Sequence, residues 1–214
     1  MATVITAGNA TNGLKITPDN TGILELKTGT GAGTTALTLN ASQNATLAGT
    51  LQVAGVTTSL YPIVLGTAKV AVTDFTTSAD FTGIPPWADR ITIIFNGISL
   101  SGTDFILVQI GSGSLSTSGY TSSGSSGSGA VASTTGRTDG FMIRTAAGGD
   151  SVTGMMVIQN ITSTIWVSNH TCGGSGFFIG GGVSPSLSGA LDRVSVTRSG
   201  TNTFDAGTIN ITWE

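Results

Sequence analysis

His170-Thr171-Cys172 holds the only imidazole and the only thiol of this 214-residue chain. A protein metal site takes three or four ligands, and one His with one Cys cannot close it. A metal would need added carboxylates, or His170 repeated around a threefold axis. The simpler expectation is a packed Cys172 beside a hydrogen-bonded His170. Serines and aspartates are plentiful enough for a Ser-His-Asp arrangement, yet no Gly-x-Ser-x-Gly elbow positions a nucleophile. Asp139, Asp150, Asp192 and Asp205 offer pairs for carboxylate-based glycoside hydrolysis. Aromatic residues, on which a long sugar chain would stack, are only 6% of the chain. Thr28 to Gly33 has the glycines of a phosphate loop but neither the Lys-Ser/Thr nor the helix that should follow. The expectation is a protein without catalytic, metal or cofactor chemistry.

Charge and composition narrow the class further. Eight basic residues against eleven acidic ones, without a run of either, give no electrostatic footprint for nucleic acid. No stretch of about 18 apolar residues exists, so no membrane insertion is expected. A single cysteine rules out an intrachain disulfide. Met1-Ala2-Thr3-Val4 has neither a basic nor a long apolar segment, which predicts synthesis in a cytoplasm. On that expectation the sequons at Asn9, Asn44, Asn160 and Asn210 carry no weight. Charged residues are 9% of the chain, against roughly a quarter in an ordinary soluble domain. The surface must therefore be Ser, Thr, Asn and Gly. Such short side chains lose little rotamer entropy on packing, which suits a surface covered by neighbouring subunits or displayed on a particle.

The elements that would position these residues fall into two segments, 1–60 and 61–214. Residues 1–60 contain short apolar pairs with one residue between their members: Leu14/Ile16, Leu24/Leu26, Leu37/Leu39 and Leu51/Val53. That is the period of a strand with one buried face. Asn12-Gly13, Pro18-Asp19-Asn20, Thr28 to Gly33, Asn40 and Gly49 separate the pairs as turns. No aromatic residue precedes Tyr61, so this ribbon cannot fill a core of its own. It predicts either an intertwined oligomeric β-structure or an extended arm laid on a partner.

After Tyr61-Pro62 aromatic residues and longer strands appear. Strands are predicted at 64–72, 91–95, 105–110, 141–144, 155–161, 165–167, 177–179, 191–198 and 209–213. Phe75 to Phe81 reads as a polar turn, and Ile84-Pro85-Pro86-Trp87 as a rigid corner. No helix of ten residues is legible. Many short strands with Gly/Ser turns predict an all-β fold, a β-sandwich of jelly-roll type. Ala88-Asp89-Arg90-Ile91 and Leu191-Asp192-Arg193-Val194 repeat one another and predict two strand starts, neighbours in the sandwich. Ser112 to Ala130, almost pure Ser, Gly and Thr around Tyr120, predicts a long loop, either a flexible linker or a recognition surface.

The segment from Gly13-Leu14-Lys15-Ile16 through Ala36-Leu37-Thr38-Leu39-Asn40 to Gly49-Thr50-Leu51-Gln52-Val53 resembles the shaft repeats of tailed-bacteriophage fibres and related virion proteins. Ile84 to Ile93 resembles the start of a C-terminal head domain of such proteins, especially from phages of aquatic bacteria. The ending, Leu191-Asp192-Arg193-Val194 with Phe204 to Ile211, does so as well. The resemblance implies a homotrimer with a slender β shaft and a β-sandwich tip. Leu14, Ile16, Leu24, Leu26, Leu37, Leu39, Leu51 and Val53 would form the trimer core. The implied function is a structural component of the virion, a short trimeric tail fibre contacting the host cell surface. The alternatives are a head fibre or capsid-decoration trimer, and third a tail-associated polysaccharide hydrolase. Its partners would be its own copies, other virion proteins of tail, baseplate or capsid, and a bacterial surface glycan or outer-membrane protein. Long fibres carry an N-terminal adaptor that this chain does not show. Val4 and Ile5 are the expected virion attachment, by adding a strand to a partner's sheet edge, with simple fraying as the alternative. Receptor contact is expected on loops: Tyr120, Arg137 and Asp139, and the Gly-rich run Cys172 to Gly182.

Overall fold

A computed structural model describes residues 23–28, 34–42, 44–47, 51–53, 56–58, 63–128, 131–143, 145 and 148–214. Among them no helix occurs, and every strand pair is antiparallel. The chain divides into two units, Met1–Tyr61 and Pro62–Glu214.

In the first unit, β1 (Leu24–Thr28), β2 (Thr34–Leu39) and β3 (Ala45–Leu47) form one sheet in chain order. Two more strands, β4 (Leu51–Val53) and β5 (Val56–Thr58), make a separate hairpin. Register puts Leu26 opposite Leu37 and Leu37 opposite Leu47, while Leu24 faces Leu39. These five leucines therefore share one face, as period-2 alternation requires. None of them is buried: Leu26 is 44% and Leu47 45% exposed, and the other three are half-buried.

The second unit is a β-sandwich. Its smaller sheet contains β8 (Ala79–Thr82), β10 (Ile106–Ser112), β11 (Ser114–Leu115), β14 (Phe141–Ile143) and β18 (Arg193–Arg198), in the order β11-β10-β18-β8 with β14 also on β10. The larger sheet contains β6 (Val64–Leu65), β7 (Lys69–Val70), β9 (Arg90–Leu100), β12 (Thr121–Ser128), β13 (Val131–Arg137), β15 (Val152–Thr162), β16 (Ile165–Gly174), β17 (Phe177–Val183) and β19 (Phe204–Trp213). Its order is β13-β12-β17-β16-β15-β9-β19-β6, with β7 also on β19. Inward residues of both sheets make one core, including Ile91, Ile93, Phe95, Met156, Ile158, Ile209 and Ile211 from the larger and Ile106, Val108, Ile110, Val194 and Val196 from the smaller.

The structure corrects four expectations. The run 112–130 is not a loop, because β11 and β12 lie within it. Ser122, Gly124 and Ser126 point inward from β12, and its ladders with β13 and β17 hold it extended whatever its propensity. Glycine is required opposite: a Cβ on Gly180 would lie 2.4 Å from the Ser123 carbonyl oxygen. Likewise Cys172 to Gly182 belongs largely to β16 and β17 rather than to a loop. The two Asp-Arg strand starts open β9 and β18, which lie in opposite sheets and are not neighbours. Phe75 to Phe81 is not simply a polar turn either, since β8 starts at Ala79 and both Phe75 and Phe81 are buried.

Candidate functional site

The best-organised polar surface among the described residues is the turn joining β13 to β14. Arg137 ends β13, and Gly140 precedes the fully buried Phe141 of β14. Gly140 is itself buried against β10, where an added Cβ would lie 3.1 Å from the Val108 carbonyl oxygen. That close approach pins the turn on the sheet. The Arg137 guanidinium grips Asp139 with two nitrogens: Nε donates to Oδ1 at 2.8 Å, and Nη2 donates to Oδ2. Gln109 Nε2 donates to the Asp139 carbonyl oxygen at 2.7 Å. The hydrogen bond from Arg137 holds the Asp139 carboxyl below the usual carboxylate range, and the same bond raises the guanidinium. Both side chains remain about one-third exposed. They border an open cavity of about 330 Å³ lined by Gly136, Arg137, Thr138 and Asp139.

Tyr120 lies beneath this turn rather than on its surface, which corrects its expected role as a contact residue. It is 1% exposed. Its hydroxyl accepts from the Ile110 N–H at 2.9 Å, and its proton is shared between the carbonyls of Ser116 (3.0 Å) and Ile110 (3.3 Å). Its ring meets Phe141 edge-on, centroids 5.0 Å apart. Burial pushes the phenol up to about 12. The backbone N–H of Tyr120 donates to Thr138 O at 3.0 Å, inside the Arg137–Asp139 turn. The three expected contact residues are thus brought together, two as surface and one as its support. The pair can present a planar cation and anion side by side to a ligand's hydroxyl or amide groups. Asp139 is a poor general acid while Arg137 holds it ionised.

The remaining candidates are dispersed. His170 and Cys172 point inward from β16 and are 4% exposed each. Burial pulls the imidazole down to about 4 and pushes the thiol up to about 11. Neither His170 nitrogen finds a hydrogen-bond partner in the protein, nor do Ser168 Oγ and Trp166 Nε1 on the same strand face. The expected hydrogen bond to His170 is therefore not formed. Among the described residues no three His, Cys, Asp or Glu side chains converge as metal ligands. Asp150 accepts from Ser175 Oγ at 2.8 Å, Asp192 from Arg193 Nε at 2.7 Å, and Asp205 from Ser99 Oγ. Each carboxylate is engaged by its own partner.

Leu24, Leu26, Leu37 and Leu39 share the face described above. Leu51 and Val53 lie on β4, whereas Val4, Ile5, Leu14 and Ile16 fall outside the described residues. Sequence reasoning missed a second hollow, about 340 Å³, whose lining includes Lys69, Asp80, Phe81 and Trp213. There Lys69 Nζ stands 5.6 Å from the centre of the Phe81 ring, a cation–π distance. Only the alternation Ala79-Asp80-Phe81-Thr82 hinted at it.

No protein-family model matches the chain, no curated protein is similar to it, and no solved structure matches it.

Proposed function

We propose that this protein is a structural, non-catalytic component of a phage virion: a short homotrimeric tail fibre whose sandwich head touches the host cell surface. The observation that carries the reading is the leucine face of β1–β3. Among the described residues, a three-stranded sheet carries five leucines on one side and none of them is buried. Burying a leucine side chain gains about 1.5–3 kcal/mol, so leaving two exposed and three only half-buried is costly. Three copies of the ribbon turned face to face around an axis would supply the missing layer and make a slender β shaft. The composition agrees with this: few charges, no nucleic-acid footprint, and a surface of short hydroxyl side chains.

Receptor contact is assigned to the Arg137–Asp139 turn at the end of a rigid scaffold, where a paired cation and anion remain accessible. The receptor class stays a bacterial surface glycan or an outer-membrane protein. The test is location. Antiserum against the purified protein, applied to virions from the lysate that contains it, should place gold label at the tail. Label distributed over the capsid would replace the fibre by a decoration trimer, and unlabelled particles would overturn the virion assignment.

A further inference from the structure

The outward face of the nine-stranded sheet is unlike the rest of the sandwich surface. Strand register places Ile94 opposite Met155, Met155 opposite Thr171, and Thr171 opposite Ile179, one continuous row across β9, β15, β16 and β17. Phe177 stands in the next row, while Leu65 and Val70 continue the face at the β6/β7 edge through Thr212 and Thr208. Of nine exposed large apolar side chains among the described residues of this unit, these six lie here: Leu65, Val70, Ile94, Met155, Phe177 and Ile179. Residues between them are Thr, Ser, Asn, Gly and Val. Over four successive rows, from that of Phe177 to that of Gln159, the charges are Arg90 and its partner Glu214, paired at 2.8 Å in one corner.

We propose that this face is an interface between heads, covered by the other copies of this chain. Charge argues for that occupant. A partner of ordinary composition would have to strip its charges of water against a surface whose one ion pair, Arg90–Glu214, lies in a corner and is already satisfied. A face with the same charge-poor mixture of apolar and hydroxyl groups has no such cost, and this chain carries one. Area argues likewise. Six strands from β19 to β12, spaced about 4.8 Å apart, and four rows about 7 Å apart outline roughly 800 Å². That is the share each partner contributes to a standard specific interface. The inference goes beyond the association of β1–β3, since it concerns the other unit and another surface.

Met155 reports on it directly. It is 52% exposed in one chain, while Met142 and Met156 are fully buried and serve as internal references. The purified full-length protein would be treated with dilute peroxide at high and low concentration, and sulfoxide at each methionine read by mass spectrometry. The expected result is Met155 oxidising at least tenfold more slowly in the concentrated protein than after dilution. In Ile179→Lys it should oxidise rapidly while the protein still sediments as an oligomer held by β1–β3. Rapid oxidation of Met155 in an intact oligomer would overturn the head interface and leave the shaft reading standing. Protection that does not change with dilution, and persists in Ile179→Lys, would mean that the chain covers its own face and would also overturn it. A monomer at every concentration, with Met155 reactive, would remove both.

Discussion

The β1–β3 sheet and the sandwich use the same alternation of apolar and polar residues, but among the described residues only the sandwich shows both sides of its interior. On β9 the inward residues Ile91, Ile93 and Phe95 are at most 1% exposed, because β10 and β18 bring a second layer across from them. On β1 and β2 the corresponding leucines are only half-buried or exposed. The difference is one of chain supply. Residues 62–214 contain enough strands to fold back on themselves, whereas the described strands of the first unit run three to six residues and no aromatic residue precedes Tyr61. A strand with one apolar face states that a partner layer exists; it does not state whether that layer belongs to the same chain.

The sharpest way to break the comparison is Leu37→Asp. Leu37 is the middle of the Leu26–Leu37–Leu47 row. In a threefold assembly the change strikes three times, forfeiting roughly 5–9 kcal/mol of leucine burial per trimer at about 1.5–3 kcal/mol each. The carboxylates would add a desolvation cost. Light scattering should show an oligomer that comes apart at higher protein concentration than the unchanged chain, while the sandwich keeps its near-ultraviolet signal and melting temperature. A Leu37→Asp protein that remains oligomeric, with unchanged concentration dependence, would mean the leucine face is not where copies meet.

A second prediction works inside one copy and should not depend on assembly. His170 is held neutral by burial, its pKa down at about 4 against 6.5 for a free imidazole. On the same face it neighbours Met156, Gly180, Ser168 and Cys172, none charged near neutral pH. Above pH 6.5 the imidazole is neutral in both the folded and the unfolded chain, so stability there is flat with respect to this group. Between 6.5 and 4 the unfolded chain binds the proton and the folded one does not, so stability falls as pH falls. The loss by pH 4 is on the order of 3 kcal/mol. Melting curves across pH 4–8 should show this decline, and His170→Leu, which also removes two unpartnered nitrogens, should flatten it. An equal decline in His170→Leu would assign acid sensitivity to the carboxylates instead.

The strands with an apolar stripe were legible in the sequence: 91–93, 194–196 and 209–213 alternate strictly, and each lies within a strand that lines the core. β12 was not, because Thr121-Ser-Ser-Gly-Ser-Ser-Gly-Ser128 has no stripe to read. Its extended form comes from β13 and β17 on either side, and its glycine partners Gly180 and Gly182 make sense only once the strands are adjacent. Arg137 and Asp139 were legible as a pair, two residues apart in a turn. The Lys69, Asp80 and Trp213 hollow was not, since it assembles three segments distant in sequence.

Tyr120 shows the limit most clearly, and the smallest predicted effect tests it. A lone aromatic in a Ser/Gly run reads as a side chain on display, because nothing local could bury it. What buries it is remote in sequence: Phe141 against its ring, and the Ile110 backbone at its hydroxyl. If Tyr120 were displayed, Tyr120→Phe would leave the melting temperature unchanged and weaken only binding. In its observed place the change strips the buried Ile110 N–H of its acceptor, at a cost of about 1–2 kcal/mol. The ring still packs on Phe141, and the Tyr120 N–H bond to Thr138 is a backbone bond that phenylalanine keeps. Tyr120→Phe should therefore lower the melting temperature modestly, without altering oligomeric mass, the Arg137–Asp139 turn or attachment to cells. Weakened attachment at an unchanged melting temperature would return the tyrosine to the surface.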